Sequence, residues 1–507
     1  MAIRNVLWST VMHYSREGKE EIKPDGKALV TKYLSIHGHF YQPPRLNPFT
    51  GKVPREVGAG PYHDFNEKID AECYRPNAED GNFGHISFDI GPTLAAWLER
   101  HDKPTYDRII AADREHYKKY GYGNAIAQAY NHTILPLSHA RDRRIQISWG
   151  ITDFIHRFGH TPQGMWLGET AVDYGTLRTV ADLGIKFTIL APWQAAWPID
   201  ATEPYLVRLP KGKSINVFFF NDVLSAAVSF DDGATSNADA FARDWLPRQL
   251  NGEKLQSGAP QLTLIATDGE AYGHHKRFRD KFLSYLLNVS APREGFEVIS
   301  LARYLELFPP TREVLIEEDT SWSCHHGVKR WRGACDCIEG SGTWKWYLRH
   351  ALNKLAVKID EVFEAYATGV TRDPWKVVDD YIRVKLGDIS GKALLHQHGV
   401  IGSATAGPVM LKLAEAMYNR QLMFTSCAFF FDDLDRIEPR NNIAFAARAI
   451  DLVRKAGLGD LEAEFVKDLA AARSWRTGRT GADFYNQVVA AVGRHRTATR
   501  EPVAGFV

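Results

Sequence analysis

Between about residues 30 and 305 the chain alternates short apolar runs with amphipathic segments. Runs at 32–40, 146–149, 164–167, 187–191, 216–220, 262–267 and 297–301 have the length of buried strands. Segments 104–120 and 170–183 carry the spacing of helices with one apolar face. This alternation predicts parallel strands crossed over by helices. Residues 41–85, rich in Pro, Gly, Asn and Asp, have little periodicity, and a loop that long inside a compact domain is usually functional. Beyond about residue 340 only helical spacing remains. Leu348, Leu352, Leu355, Ile359, Val362, Phe363 and Tyr366 mark one buried face. Ile443, Ala446, Ala447, Ile450 and Val453 mark another, closed by Arg454, Lys455 and a capping Gly457. The expectation is an α/β domain over residues 1–310 followed by an all-α domain over 311–507.

Composition narrows the partners. The 507 residues suffice for a large barrel and another domain, and 44% hydrophobic with 24% charged residues is an ordinary globular balance. With 62 Lys+Arg against 61 Asp+Glu the net charge is +1, which offers no pull toward nucleic acid or an anionic membrane. The partner is expected to be neutral or small. Five cysteines at irregular spacing are no secreted disulfide framework. Met1–Trp8 has no apolar core of signal-peptide length, and no run approaches the roughly 18 apolar residues of a membrane span. A cytoplasmic protein is expected.

Two carboxylates stand where apolar runs break off. Glu169 follows Gly164-Met165-Trp166-Leu167-Gly168, and Asp268 follows the run 261–267 and leads into Gly269-Glu270-Ala271-Tyr272. In a barrel of parallel strands the C-terminal strand ends converge on one mouth. Paired carboxylates across such a cleft are the minimal apparatus for glycoside cleavage. Trp166 and Tyr272 place a ring near each acid for sugar stacking. His37 and His39, two apart in a strand, face one side; they suit substrate hydrogen bonding, or metal binding if a third ligand were supplied. Cys324, His325, Cys335 and Cys337 have zinc-binding chemistry at an uncommon spacing, so a loop packed over the mouth near 320–340 is the preferred reading and no metal is assigned.

These segments resemble glycoside hydrolase family 57. The ordered motifs are His37-Gly38-His39 with Gln42-Pro43, His132-Thr133-Ile134-Leu135-Pro136, Trp166-Leu167-Gly168-Glu169, and Asp268-Gly269-Glu270. The later part looks like a helical domain of unknown function that follows this catalytic domain in one bacterial subgroup, through Met423–Cys427 and Phe431-Asp432-Asp433. Departures are Phe40-Tyr41 between His39 and Gln42, and Gly168 where many members have Ala or Pro. The resemblance implies an incomplete seven-stranded (β/α) barrel acting on α-glucans with retention, Glu169 as nucleophile and Asp268 as general acid/base. It offers His37, His39 and His132 as hydroxyl partners and Trp166, Trp322 and Trp331 as sugar platforms, with no cofactor. Glu270 is expected to stand behind Asp268, because Gly269 redirects the chain. The segment 426–433 is expected to reach the substrate, with Asp432 or Asp433 bonding sugar hydroxyls. Competing readings are a metal-dependent deacetylase-like hydrolase using an Asp and two His, and a non-catalytic glucan-binding protein.

Overall fold

The computed structural model describes residues 31–400, 402 and 404–498, with side chains to 491. The expectation drawn from Met1–Trp8 lies outside the described residues. Among them nine strands form: β1 (Lys32–Phe40), β2 (Ser87–Ile90), β3 (Ala127–Gln128), β4 (Met165–Trp166), β5 (Phe187–Leu190), β6 (Tyr205–Arg208), β7 (Ser214–Phe219), β8 (Gln261–Asp268) and β9 (Glu297–Val298). Seven of them run parallel around a barrel. β1 pairs with β2, β3 with β4, β5 with β7, and β8 returns to β1. Parallel bridges from Phe88 to Ala125 and from Gly164 to Phe187 join the remaining neighbours. At the β7–β8 seam no ladder forms among the described residues; Asn221 N–H donates to Leu264 O at 2.7 Å instead. The barrel is therefore incomplete. β6 lies antiparallel on β7, and β9 pairs with the start of β1.

The strands are short and apolar because both faces are covered. β8 is buried along its length until Asp268, which emerges at the mouth. The helix Tyr174–Asp182, capped by Asp173, falls within the expected 170–183. The expected strand at 146–149 is instead the interior of the helix Ala140–Phe158. Its Ile147, Phe154 and Phe158 face the barrel core, whereas Ile145 and Trp149 face the helical core. A helix buried on two sides loses the single polar face that would reveal its period. The run at 297–301 is a strand only at Glu297–Val298, and Leu301 starts a helix. β2 and β3 escaped the pattern because they are too short to alternate.

After Arg312 the chain still clings to the barrel, through bridges of Glu313 to Leu206, Ile316 to Ala195 and Thr320 to Val172. Helices then dominate, including Thr343–Ala367, Ala406–Leu422 and Ile437–Lys455. Leu348, Leu352, Leu355, Ile359 and Phe363 meet Ile443, Ala446 and Ile450 in one core. Gly457 ends the last of these helices with left-handed φ 77°. No helix among the described residues is long and apolar enough to cross a membrane.

The two parts are clamped by buried charge. The Arg420 guanidinium reaches Asp142 of the barrel at 2.7 Å and forks onto Asp360 at 3.0 and 2.9 Å. Arg420→Ala leaves Asp142 without its counter-charge and Asp360 with Arg141 alone, which costs on the order of 3–5 kcal/mol for a buried pair. Calorimetry should show a large drop in melting temperature shared by both parts; a shift below about 1 °C would mean that the clamp is solvated.

Candidate active site

β1 supplies His37 and His39, and its register sets their partners. His39 lies opposite Asp89 of β2 on one side and Asp268 of β8 on the other. Asp89 is fully buried and gives one oxygen to each imidazole, Oδ1 to His37 Nε2 at 3.1 Å and Oδ2 to His39 Nδ1 at 2.9 Å. His37 Nδ1 meets Ser87 Oγ at 3.1 Å. His39 Nε2 meets His132 Nε2 at 3.1 Å, and His132 Nδ1 meets Ser426 Oγ at 2.6 Å. Trp166 stacks over both His37 and His39 with centroids 4.9 and 5.0 Å away.

Charge along this chain follows from its neighbours. Burial opposes a protonated His39, but Asp89, Asp268 and Glu270 outweigh it and raise its pKa to about 9. Burial lowers His37, and burial with the adjacent His39 charge drives His132 well down. The network is self-consistent on these terms. A cationic His39 donates from both nitrogens, so His132 Nε2 accepts and its Nδ1–H donates to Ser426. A neutral His37 donates to Asp89 and accepts from Ser87. Asp89 thus hydrogen-bonds each of the two imidazoles directly.

Glu169 follows β4 in a tight bend. Glu169 and Thr170 both take left-handed backbones, φ 58° and 47°, and His132 opposite has φ 51°. Non-glycine residues in this region store strain that concentrates at functional sites. Gly168 is required here, because a Cβ would stand 2.9 Å from the Thr133 carbonyl oxygen. The Glu169 carboxylate is half-buried and accepts from Ser323 Oγ at 2.7 Å and Trp322 Nε1 at 3.2 Å. Burial raises its pKa, the Ser323 bond opposes the rise, and the charge of Asp268 adds to it. Asp268 is exposed in the mouth.

Glu270 is buried behind Asp268. Its Oε1 accepts from Tyr74 OH at 2.6 Å, Tyr41 N at 3.3 Å and Gln42 Nε2 at 3.4 Å. Burial, then repulsion by Asp268, pushes its pKa from 4.5 to about 7.

Several expected contacts are corrected. Tyr272 is fully buried, its ring in the barrel core, and offers no face to a sugar. Trp331 is likewise fully buried in the helical core, beside Phe430. Trp166 is buried as the floor beneath His37 and His39. Trp322 is half-buried and meets His39 and Trp166 edge-on. Asp433 is fully buried and caps a local turn, accepting from Asp435 N at 2.6 Å, Trp475 N at 3.1 Å and Arg476 N at 3.2 Å. Asp432 pairs with Arg476. The helical part reaches the site through Ser426 and Cys427 instead; Thr425 bridges to Thr133, and the Ser426 N–H donates to His132 O. Asp89 was missed, although Phe88-Asp89-Ile90 before Gly91-Pro92 is an acid in a short apolar run. Trp193 was missed as well: it is 44% exposed, donates to Ser321 O at 3.0 Å and lies edge-on to Phe220 beside Trp322. His326, not His325, joins Cys324, Cys335 and Cys337. A cavity of about 480 Å³ between the two parts is lined by Thr133, Arg141, Asp360 and Gln421 among others, and by neither Glu169 nor Asp268.

Residues 28–317 match glycosyl hydrolase family 57. The chain belongs to that family, and residues 341–498 match a domain of unknown function, DUF3536. Alpha-amylase 1 of Dictyoglomus thermophilum is 23% identical over 275 residues, 46% of this chain; the chain spans 37% of that relative's length. The fold is similar to an exo-type maltose-forming amylase from Pyrococcus sp. ST04, with TM-score 0.72, 17% identity, and 90% of this chain and 88% of that one covered. It is also similar to a branching enzyme from Thermococcus kodakaraensis, with TM-score 0.57, 16% identity, and 92% and 95% covered.

The raised pKa of Glu270 has a thermodynamic consequence. Folding favours its neutral form, so this contribution is complete below about pH 4.5 and is lost as pH rises through about 7. The loss is on the order of 3 kcal/mol. Glu270→Gln should therefore gain on the wild type in unfolding free energy between about pH 5 and pH 8. A difference independent of pH would mean that Glu270 is solvated.

Proposed function

We propose that the protein is a retaining α-glucan hydrolase or glucanotransferase working by two carboxylates. The observation that supports this best is the convergence of Glu169 and Asp268 from the ends of β4 and β8 on one mouth, where the charge of Asp268 is felt at Glu169. Glu169 is the nucleophile. The donors Ser323 and Trp322 on one oxygen steady the carboxylate, and leave the other oxygen to attack the anomeric carbon. Asp268, in the solvent-facing mouth, protonates the leaving oxygen and then takes a proton from water or from an acceptor sugar. Water as acceptor gives hydrolysis, and a sugar hydroxyl gives transfer.

The remaining groups assist. His39, held cationic, offsets the negative charge gathered at the mouth. Neutral His132, buried with both ring nitrogens taken by His39 and Ser426 and stacked on Tyr41 at 4.1 Å, fixes His39 and is not itself a partner for a sugar hydroxyl. Trp193 and Trp322 provide the sugar platform. The amylase and branching-enzyme names carried by similar structures support an α-glucan as substrate. Five cysteines that form no disulfide support a reducing, cytoplasmic setting.

Incubation with maltooligosaccharides separates the outcomes: shorter sugars alone mean hydrolysis, disproportionation means transfer. The first-formed anomer, followed by proton NMR, should be α; a β product would replace retention with inversion. Glu169→Gln should lose about a thousandfold in kcat or more, roughly 4 kcal/mol. Asp268→Asn should keep a burst on substrates with good leaving groups, which need no acid, while Glu169→Gln shows none. A burst in Glu169→Gln and none in Asp268→Asn would reverse the roles. Trp193→Ala should weaken maltooligosaccharide binding by about tenfold, roughly 1.4 kcal/mol, with an unchanged melting temperature. Trp331→Ala should instead destabilise the fold by about 3 kcal/mol or more.

A further inference from the structure

We infer that Cys324, His326, Cys335 and Cys337 form a structural zinc site that fixes the loop lying over Glu169. Their four ligand atoms lie within 4.8 Å of one another. Cys324 Sγ is 3.5 Å from Cys335 Sγ and 3.6 Å from Cys337 Sγ. His326 Nδ1 is 3.2 Å from Cys337 Sγ and 3.4 Å from Cys335 Sγ. A tetrahedron with Zn–S of about 2.3 Å and Zn–N of about 2.0 Å has edges of about 3.8 Å between sulfurs and about 3.6 Å from sulfur to nitrogen. The observed spacings lie close to those edges. A disulfide needs sulfurs about 2.05 Å apart and would use only two of the thiols.

The chain around the cluster serves the same end. Cys324 and Cys335 are buried, Cys337 half-buried and His326 exposed, so the imidazole is the solvent side through which an ion enters. Gly327 N–H donates to Cys324 O at 3.0 Å, closing a knuckle. Gly327 has φ 63°, and a Cβ there would stand 2.0 Å from Asp319 O, so this turn accepts glycine alone. Arg330 donates to the carbonyls of Ser323 and Cys337, each at 3.2 Å, and buried Lys345 donates to Arg330 O at 3.2 Å. Three thiolates around a divalent ion leave one net negative charge, and the Arg330 guanidinium lies beside it. Buried charge persists only when paired.

Soft thiolate ligands select zinc over magnesium, calcium or manganese, and four protein ligands close the coordination sphere, which defines a structural site. Its role follows from position. Trp322 and Ser323, immediately before Cys324, donate to the Glu169 carboxylate, so an ion that locks Cys324 holds both donors in place. The Cys-x-His-x8-Cys-x-Cys order departs from the usual paired spacing, and for that reason the sequence alone did not disclose it. Metal binding stands independently of the glycosidase reading.

The test uses the full-length protein prepared without a histidine tag. Elemental analysis should find about one zinc per chain. The zinc should be lost in His326→Ala and in the Cys335→Ser/Cys337→Ser double variant, and kept in His325→Ala. Chelated protein should be cut by trypsin after Lys329 or Arg332 many times faster than holoprotein, with protection restored by zinc. Less than about a tenth of an equivalent after incubation with Zn²⁺ and gel filtration overturns the proposal. So does iron in place of zinc, or an intact mass showing a disulfide under non-reducing conditions. If the variants do not fold, cobalt-substituted wild type decides. A tetrahedral spectrum with thiolate-to-cobalt charge transfer supports the site, and an octahedral spectrum overturns it.

Discussion

Three acids, Glu169, Asp268 and Glu270, crowd one barrel mouth, and the management of their mutual repulsion organises everything around them. Like charges in a low-dielectric site cannot all ionise without a counter-charge. The fold supplies one through Asp89, whose buried carboxylate grips His37 and His39 at once. Asp89 sustains a cationic His39, which faces Asp268 across the β1–β8 ladder. Glu270 yields instead, its pKa rising to about 7 behind Asp268. Burial and the charge of Asp268 thus push Glu270 and Glu169 upward, and the charge of His39 restrains both rises.

Strain and packing complete this arrangement. Left-handed backbones at His132, Glu169 and Thr170 persist because both sides of the mouth are held from outside the barrel. Ser426 pins His132 from the helical part, and the loop with Trp322 and Ser323 pins Glu169. The helical part is therefore continuous with the site through the segment 425–427, while Asp432 and Asp433 only stabilise its own turns.

The sequence disclosed what local chemistry encodes. Glu169 and Asp268 were legible because an apolar run ending in an acid is a local pattern. β1 and β8 were legible because a long strand buried on both faces reads as a continuous apolar run. The helix Ala140–Phe158 misled for the same reason, since two cores strip it of a polar side. Trp331 and Tyr272 show the converse limit: a ring near an acid in sequence is equally well a core ring, and only packing decides. Asp89, Trp193 and the pairing of His326 with three cysteines depend on register and loop closure between distant segments, which no local pattern carries.

The claim on which the account rests is that Glu169 carries the bond to sugar. Reaction with a fluorinated α-glucosyl fluoride that traps slow-turnover intermediates, followed by proteolysis and mass mapping, addresses it directly. The account predicts one added glycosyl group per chain on the peptide containing Glu169, and none in Glu169→Gln. A label on Asp268 or Glu270 would contradict it, as would unlabelled protein that still turns over the natural glucan.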